Sequence, residues 1–253
     1  KKGSMYKIFN GNLLYHGCIP MNEDGSLKEV QIYEKSYRGK ALYDVLECYV
    51  RKAFMARDGK EKERGKDMLW YIWTSPNSPL FGKNKMATFE RYFLAEKETH
   101  QEIKNPYYNF LESEEIAERI FEEFQVKGEG RHIVNGHVPV HHTSGESPIK
   151  CKGKILVIDG GFSRAYQKET GIAGYTLIYN SWGMILAAHE PFTSTQDAIT
   201  KESDILSDSI LVKRVTERKN VGATDTGAKL KERIAELKEL LDAYRNGLLV
   251  EKL

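Results

Sequence analysis

The sequence lacks most of the features that would assign it to a specialised class of protein. It has only three cysteines in 253 residues, Cys18, Cys48 and Cys151, and none of them belongs to a Cys-x-x-Cys pair. A sparse, odd set without that spacing argues against a disulfide framework and against a zinc knuckle. Low cysteine use also favours a reducing compartment, so we expect a cytoplasmic protein.

Long apolar runs and an excess of charge are absent as well. No run approaches the roughly 20 apolar residues of a membrane-spanning helix, and the start of the chain shows no signal-peptide pattern. Lys and Arg number 38 against 36 Asp and Glu, which leaves a net charge of +2. This balance predicts neither a nucleic acid nor a membrane as partner. With 40% hydrophobic residues, the composition predicts a globular chain that buries a core.

Local patterns in the first half of the chain predict both strands and helices. A β-hairpin is expected over residues 5–16, turning at Asn10-Gly11, and a helix over residues 42–53. Residues 69–93 are rich in aromatic side chains but contain two prolines and a glycine, so we expect an ordered loop there. Ser113 is placed to cap a further helix.

The second half continues this alternation and predicts an α/β fold. Residues 132–135 and 155–158 read as strands, and each leads into a polar turn that contains glycine. Residues 175–188 read as a hairpin. Beyond about residue 194 the composition becomes polar, and it ends in a helix over about 229–244 with a stripe of leucines. We therefore divide the chain into residues 1–193, a catalytic-type domain, and 194–253, a polar segment with a helical appendage.

Two histidines stand in unusual contexts, each at the end of a predicted strand beside a glycine. His16 lies in Tyr15-His16-Gly17, and His137 lies in Gly136-His137-Val138. A glycine next door lets another ligand or a metal ion approach the imidazole closely, so both could ligate a metal. For either histidine taken alone, a hydrogen bond within its turn is the better explanation.

Several longer stretches carry a family resemblance that covers nearly the whole chain. They are Leu13-Leu14-Tyr15-His16-Gly17-Cys18-Ile19-Pro20, Asn77-Ser78-Pro79-Leu80-Phe81-Gly82-Lys83, Met86-Ala87-Thr88-Phe89-Glu90-Arg91, Asn135-Gly136-His137-Val138-Pro139-Val140 and Ile158-Asp159-Gly160-Gly161-Phe162-Ser163. Together they resemble the class III fructose-1,6-bisphosphatases of Firmicutes, within the calcineurin-like metallophosphoesterases.

The resemblance implies a fold, an activity and a metal. The fold would be the C-terminal part of a metallophosphoesterase-type mixed-sheet sandwich with flanking helices. The activity would be removal of the 1-phosphate from fructose 1,6-bisphosphate in gluconeogenesis, with Mn or another divalent ion such as Mg. His16 and His137 would be ligands of a binuclear centre, in which two cations polarise the phosphate and generate a hydroxide.

One departure from the family pattern limits what this chain can do alone. The family's Asp-x-His, Gly-Asp-x-x-Asp-Arg-Gly and Gly-Asn-His-Asp/Glu motifs do not occur in these 253 residues. Two imidazoles cannot satisfy two hard cations, which prefer oxygen ligands. The chain is therefore expected to be a C-terminal portion that is inactive alone and completed by an N-terminal half, with homo-oligomers possible.

Further site candidates rest on residue type and on position near a turn. Lys83, Arg91 and Arg164 could clamp a sugar phosphate, although each could also be an ordinary surface charge. His141 and His142 could contact substrate or simply belong to a polar loop.

Asp159, at the end of a predicted strand, could orient a metal-bound histidine or only bond to the amides of its own turn. Two other readings of the function stay open. One is a Ser/Thr protein phosphatase-like hydrolase, and the other is a noncatalytic regulatory or assembly module.

Overall fold

The computed structural model describes residues 3–128, 130–161, 163–191, 194–200, 202 and 207–250, with the side chains of residues 164–166 and 207 outside that description. The strands are β1 (Tyr6–Phe9), β2 (Asn12–Tyr15), β3 (Val30–Ile32), β4 (Lys35–Tyr37), β5 (His132–Asn135), β6 (Ile149–Lys150), β7 (Ile155–Val157), β8 (Gly174–Asn180), β9 (Gly183–His189) and β10 (Ser207–Arg214). The helices are α1 (Gly39–Met55), α2 (Lys60–Thr74), α3 (Thr88–Phe93), α4 (Glu114–Glu123), α5 (Arg164–Thr170), α6 (Thr195–Thr200) and α7 (Asp225–Arg245).

The principal sheet is mixed and has the strand order β1-β2-β5-β7-β6. Its three central strands, β2, β5 and β7, run parallel, whereas β1 and β6 are antiparallel to their neighbours. The register places Leu13 beside Ile133, and Ile133 beside Ile155. A second, antiparallel sheet has the order β10-β9-β8. The mixed sheet and its flanking helices confirm the predicted α/β class.

The five-stranded sheet is covered on both faces. Alternate residues of a strand point to opposite faces, and every residue of β5 and β7 is buried. Ile133 belongs to the large core cluster that includes Tyr43 of α1 and Phe121 of α4. Its neighbour Val134 belongs to a separate cluster with Met184 of the second sheet. The two sheets thus form a sandwich, with helices on the outer face of the larger one.

Helices α1 and α2 form a hairpin whose close contact depends on one glycine. A Cβ built at Gly65 would lie 1.7 Å from the Cβ of Ala53, so only hydrogen fits at that position. The expectation of a loop over residues 69–93 is wrong at both ends, because residues 69–74 complete α2 and residues 88–93 form α3. Pro76 disfavours helix only from the residue before it, so α2 continues to Thr74.

The remaining local predictions agree with the structure except near the C-terminus. The hairpin at Asn10-Gly11 is formed, and Ser113 Oγ accepts a hydrogen bond from Ile116 N at 3.3 Å. Residues 207–214 form β10, which pairs with β9, so the segment from residue 194 is not helical throughout. The apolar run Ile210-Leu211-Val212 is the local signal for that strand. The domain division at residue 193 stays a prediction.

Among the described residues, no helix combines the length and the apolar character needed to cross a membrane.

Candidate metal and substrate site

Three polar turns meet at one edge of the five-stranded sheet because β2, β5 and β7 run parallel. His16 follows β2, His137 comes two residues after β5, and Asp159 comes two residues after β7. The carboxyl ends of neighbouring parallel strands share an edge, and ligand sites in α/β sheets form outside such ends. The topology therefore gathers side chains that are distant in sequence into a single candidate site.

The two histidines predicted as ligands contact each other directly. His16 Nε2 lies 3.0 Å from His137 Nδ1, and the ring centroids are 4.9 Å apart in an edge-to-face arrangement. The backbone reinforces this pairing, since Gly136 N donates to His16 O at 2.9 Å. The family resemblance, which makes both histidines ligands of one centre, requires them to lie close together, and this geometry agrees with that expectation. Their role as ligands stays a prediction.

The tautomer of His137 is set by the backbone behind it. His137 Nε2 lies 2.8 Å from the carbonyl oxygen of Phe81, which can only accept, so Nε2 carries the proton. The lone pair is then on Nδ1, the atom that faces His16. A carbonyl partner on the far nitrogen is the arrangement that typically orients a metal-binding histidine.

Electrostatics at this edge also bear on His16. The pKa of His16 is lowered by partial desolvation of its ring within the turn and then by the neighbouring His137, while Asp159 acts in the opposite sense. The neutral imidazole is the form that can bind a cation.

A buried polar network supports the His16 turn from below. Asn135 Nδ2 donates to the carbonyl of Gly17 and to the hydroxyl of Tyr107, each at 3.1 Å. The Tyr107 hydroxyl also lies 2.6 Å from that of Tyr15. Burial raises the pKa of Tyr107, so this hydroxyl stays protonated and available as a donor. The network therefore fixes the backbone of the His16-Gly17 turn, and with it the position from which the His16 side chain extends.

The space beside Gly17 is filled by protein backbone. A Cβ at Gly17 would lie 2.6 Å from the carbonyl oxygen of Pro79, which accepts a hydrogen bond from Cys18 N at 3.0 Å. The glycine thus allows the Pro79 segment to approach the turn. Cys18 itself is fully buried, and desolvation raises its pKa to about 12, so it is a packing residue.

Asp159 is placed at the same edge but is partly used by its own turn. Its Oδ1 accepts a hydrogen bond from Gly161 N at 2.9 Å. Its side chain also lies against Gly136, where a built Cβ would be 3.4 Å from Asp159 Cβ. Both sequence-based readings of Asp159 therefore remain compatible with its position.

The chemistry of a divalent ion provides a test of this donor set. His16 Nε2 and His137 Nδ1 lie 3.0 Å apart, within hydrogen-bond distance of each other and close enough for both nitrogens to bind one divalent ion. The described residues, however, contain no group of three or more His, Cys, Asp or Glu that could hold an ion. The two imidazoles therefore fit part of a metal site, which needs further ligands.

A cleft of about 970 Å³ opens beside His137 and Asp159. Its opposite wall is formed by the 83–104 segment, which contributes Lys83, Arg91 and Lys104. Glu102 lies between two of these cations. Its Oε2 accepts from Lys83 Nζ at 2.7 Å, and its Oε1 lies 3.8 Å from an Arg91 guanidinium nitrogen.

Glu102 is also fixed to the backbone, because Ala87 N donates to its Oε1 at 2.8 Å. Its pKa is lowered by hydrogen bonds from Lys83 and Ala87, although burial acts in the opposite sense. Glu102 remains ionised and positions the two cations. Sequence reasoning missed Glu102, because its ion pair with Lys83 joins residues 19 positions apart and no local motif signals it. It also missed Lys104, which is brought beside Lys83 by an isolated β-bridge.

The other predicted substrate contacts separate into different groups. His141 lines the cleft, whereas His142 begins a short 3-10 turn and is not part of the cleft lining. Arg164 begins α5, and its side chain lies outside the described part of the structure. The structure thus brings Lys83, Arg91 and His141 to the same cleft as His137.

Comparison with known proteins gives a consistent result. The matching family model is described as Firmicute fructose-1,6-bisphosphatase and covers residues 1–246. A fructose-1,6-bisphosphatase class 3 of Clostridium tetani is 55% identical over 252 residues, which is 99% of this chain and 38% of that relative. Proteins of the same name from Clostridium botulinum and Clostridium novyi are 55% and 54% identical, with the same coverage. The chain spans about two fifths of the length of these relatives. No solved structure matches it.

Proposed function

This chain belongs to the Firmicute fructose-1,6-bisphosphatase family, and we propose that it is the C-terminal portion of an enzyme that hydrolyses the 1-phosphate of fructose 1,6-bisphosphate. The observation that carries the proposal is the contact between His16 Nε2 and His137 Nδ1 at the rim of a cleft whose lining includes Lys83, Arg91 and Lys104. A protein phosphatase-like activity is the less favoured alternative, because the relatives are named as sugar bisphosphatases.

We propose that His16 and His137 hold a divalent ion, Mn or Mg, in a binuclear site completed by carboxylates from the rest of the enzyme. When bound, such ions polarise phosphoryl oxygens and lower the pKa of a water molecule. In this chain, the Phe81 carbonyl keeps the proton of His137 on Nε2. The Asn135 network keeps His16 in place.

The cleft would hold the sugar bisphosphate. Its substrate carries several negative charges, and Lys83, Arg91 and Lys104 supply positive charge along one wall. Arg91 is exposed enough to reach a phosphate, while Glu102 holds Lys83 in position. His141 offers a further donor, and Arg164 and His142 remain candidates only by sequence.

Exposed apolar side chains on the α1–α2 hairpin would contact the rest of the enzyme. Phe54 and Met55 at the end of α1, and Trp70 and Trp73 near the end of α2, are each more than 60% exposed. Phe54 and Met55 also line a groove of about 540 Å³ whose side chains are mainly apolar. Surfaces of this kind mark interaction sites, and the relatives contain a further 62% of length (100 − 38) that could cover it.

Complementation tests the proposal. Mixed with a polypeptide that carries the three missing motifs, this chain should release phosphate from fructose 1,6-bisphosphate in a Mn-dependent reaction, and neither part should do so alone. His16→Ala or His137→Ala should reduce the rate by orders of magnitude. His189→Ala, on β9 and outside the cleft lining, is the matched control and should retain the rate. Faster hydrolysis of phosphoserine peptides than of the sugar bisphosphate would favour a protein phosphatase instead.

Metal binding gives an independent measurement. Two imidazoles without carboxylates are poor ligands for Mn, so calorimetry on this chain alone should detect weak binding at most. Tight stoichiometric binding would contradict the proposal that the site is shared with another part of the enzyme.

We also propose that the enzyme is cytoplasmic. This proposal is supported by the three cysteines, none of which forms a disulfide.

A further inference from the structure

Helix α7 carries an apolar stripe that no other described residue covers. Its large side chains are 47% to 52% exposed, and they are Leu230, Ile234, Leu237, Leu241 and Tyr244. The spacing along the chain is four, three, four and three residues. This is the heptad spacing that places side chains along one seam of a helix for contact with another helix.

The start of α7 is fixed to the body of the protein, so the stripe has a defined position. Asp225 and Asn10 exchange two hydrogen bonds, of 2.7 and 3.0 Å, at the turn of the first hairpin. Thr224 Oγ1 caps the helix by accepting from Gly227 N at 3.1 Å. Beyond these contacts the described residues of α7 are largely exposed.

Basic side chains border the stripe. Lys231, Lys238 and Arg245 recur every seven residues along one side of it. Arg233 lies on the other side, where it pairs with Glu236 at 2.6 Å. Glu232, Glu239 and Asp242 lie toward the opposite face of the helix. In the described part of the chain, no carboxylate forms an ion pair with Lys238 or Arg245.

This border disfavours pairing between two copies of α7. In an antiparallel pair, the side formed by Lys231, Lys238 and Arg245 would lie beside the same side of the second helix. The charged contacts along that side would then join like charges. In a parallel pair, Arg233 of each helix would face Lys238 of the other.

We propose that the α7 stripe packs against an apolar helix bordered by acidic side chains, contributed by the part of the class 3 polypeptide that this chain does not span. The stripe supplies the apolar contact, and the basic border selects an acidic partner. The 62% of the relatives' length outside this chain is the proposed source (100 − 38). The proposal that the partner helix comes from the rest of the class 3 polypeptide rests on the proposed function. The preference of α7 for a helix with acidic borders does not.

A charge-reversed copy of this chain can act as the partner. The variant Lys231→Glu/Lys238→Glu/Arg245→Glu presents the same stripe with an acidic border. At about 50 mM salt, sedimentation should show wild type binding the variant at least tenfold more tightly than it binds itself. The preference should shrink at about 500 mM salt, where charges are screened. Leu237→Asp in the wild-type partner should abolish this binding, which separates α7 contacts from association through the α1–α2 hairpin.

Other outcomes would overturn the proposal. Equal self-association and mixed association would show that the basic border selects nothing. Stripe-dependent binding to phosphatidylserine vesicles, without binding to the charge-reversed chain, would make α7 a membrane-surface helix.

Hydrogen exchange of α7 should slow when the complementing polypeptide is added. If exchange is unchanged while phosphatase activity is restored, the proposed source is wrong and the proposed function stands.

Discussion

Adding one methyl group at Gly17 should damage the candidate site, whereas the same change at Gly136 should not. A Cβ at Gly17 would lie 2.6 Å from the carbonyl oxygen of Pro79. Real Cβ contacts almost never fall below 3.0 Å, so the carbonyl must move by at least 0.4 Å (3.0 − 2.6). That oxygen accepts a hydrogen bond from Cys18 N, which the movement would weaken.

The two contributions can be added to give an expected magnitude. Overpacking by one methyl group typically costs about 1–3 kcal/mol, and a weakened hydrogen bond costs about 0.5–1.5 kcal/mol. We therefore expect Gly17→Ala to lower the free energy of unfolding by roughly 1.5–4.5 kcal/mol. At Gly136 the nearest atom, Asp159 Cβ, would be 3.4 Å away, an ordinary contact. Gly136→Ala should change stability by less than about 0.5 kcal/mol.

Urea unfolding followed by circular dichroism measures both variants under the same conditions. In the complemented enzyme, Gly17→Ala should also reduce phosphate release, because His16 is the adjacent residue. If Gly17→Ala is as stable as wild type, the Pro79 contact is not as tight as the structure shows. If Gly136→Ala loses as much stability as Gly17→Ala, steric space at Gly17 is not the cause.

Three further measurements test other parts of the structure. Burial lowers the pKa of His132 to about 4, so protonation favours the unfolded chain as the pH falls. Stability should therefore fall by about 2–3 kcal/mol between pH 7 and pH 4, and His132→Gln should flatten that dependence. With a thiol-specific reagent, the exposed Cys48 should react in the native protein, while Cys18 and Cys151 should react only after unfolding. A second rapidly reacting thiol in the native protein would contradict the burial of Cys18 and Cys151. Ser113→Ala should lower unfolding free energy by about 1 kcal/mol, seen as a smaller urea midpoint, and an unchanged midpoint would show that the cap contributes little.

The parts of the fold that could be predicted from the sequence depend on local chemistry. The Asn10-Gly11 turn and the Ser113 cap are properties of a few adjacent residues, and both are present. The meeting of His16 and His137 could be anticipated only from family resemblance, because their 121-residue separation carries no local signal. Once the parallel order of β2 and β5 is known, the ends of these strands alone place the two histidines at the same sheet edge.

The features that escaped prediction depend on tertiary contacts. Glu102 lies in a polar stretch and gains its role only when the chain folds back on Lys83. Strand β10 lies in a segment whose overall composition is polar, and pairing with β9 determines its structure. The continuation of α2 to Thr74 shows that aromatic residues near a proline can still complete a helix that begins well before it.

The parallel pairing of β2 with β5 affects the order in which the candidate site forms during folding. A local hairpin such as β1–β2 closes within about 1–10 μs, but His16 and His137 are 121 residues apart. Closing a loop of that length costs roughly 4 kcal/mol of chain entropy before any contact compensates it. During synthesis at about 5–20 residues per second, the ribosome needs roughly 6–24 s to make the intervening chain. His16 is therefore synthesised well before β5, and the candidate site can form only after β5 emerges and pairs with β2.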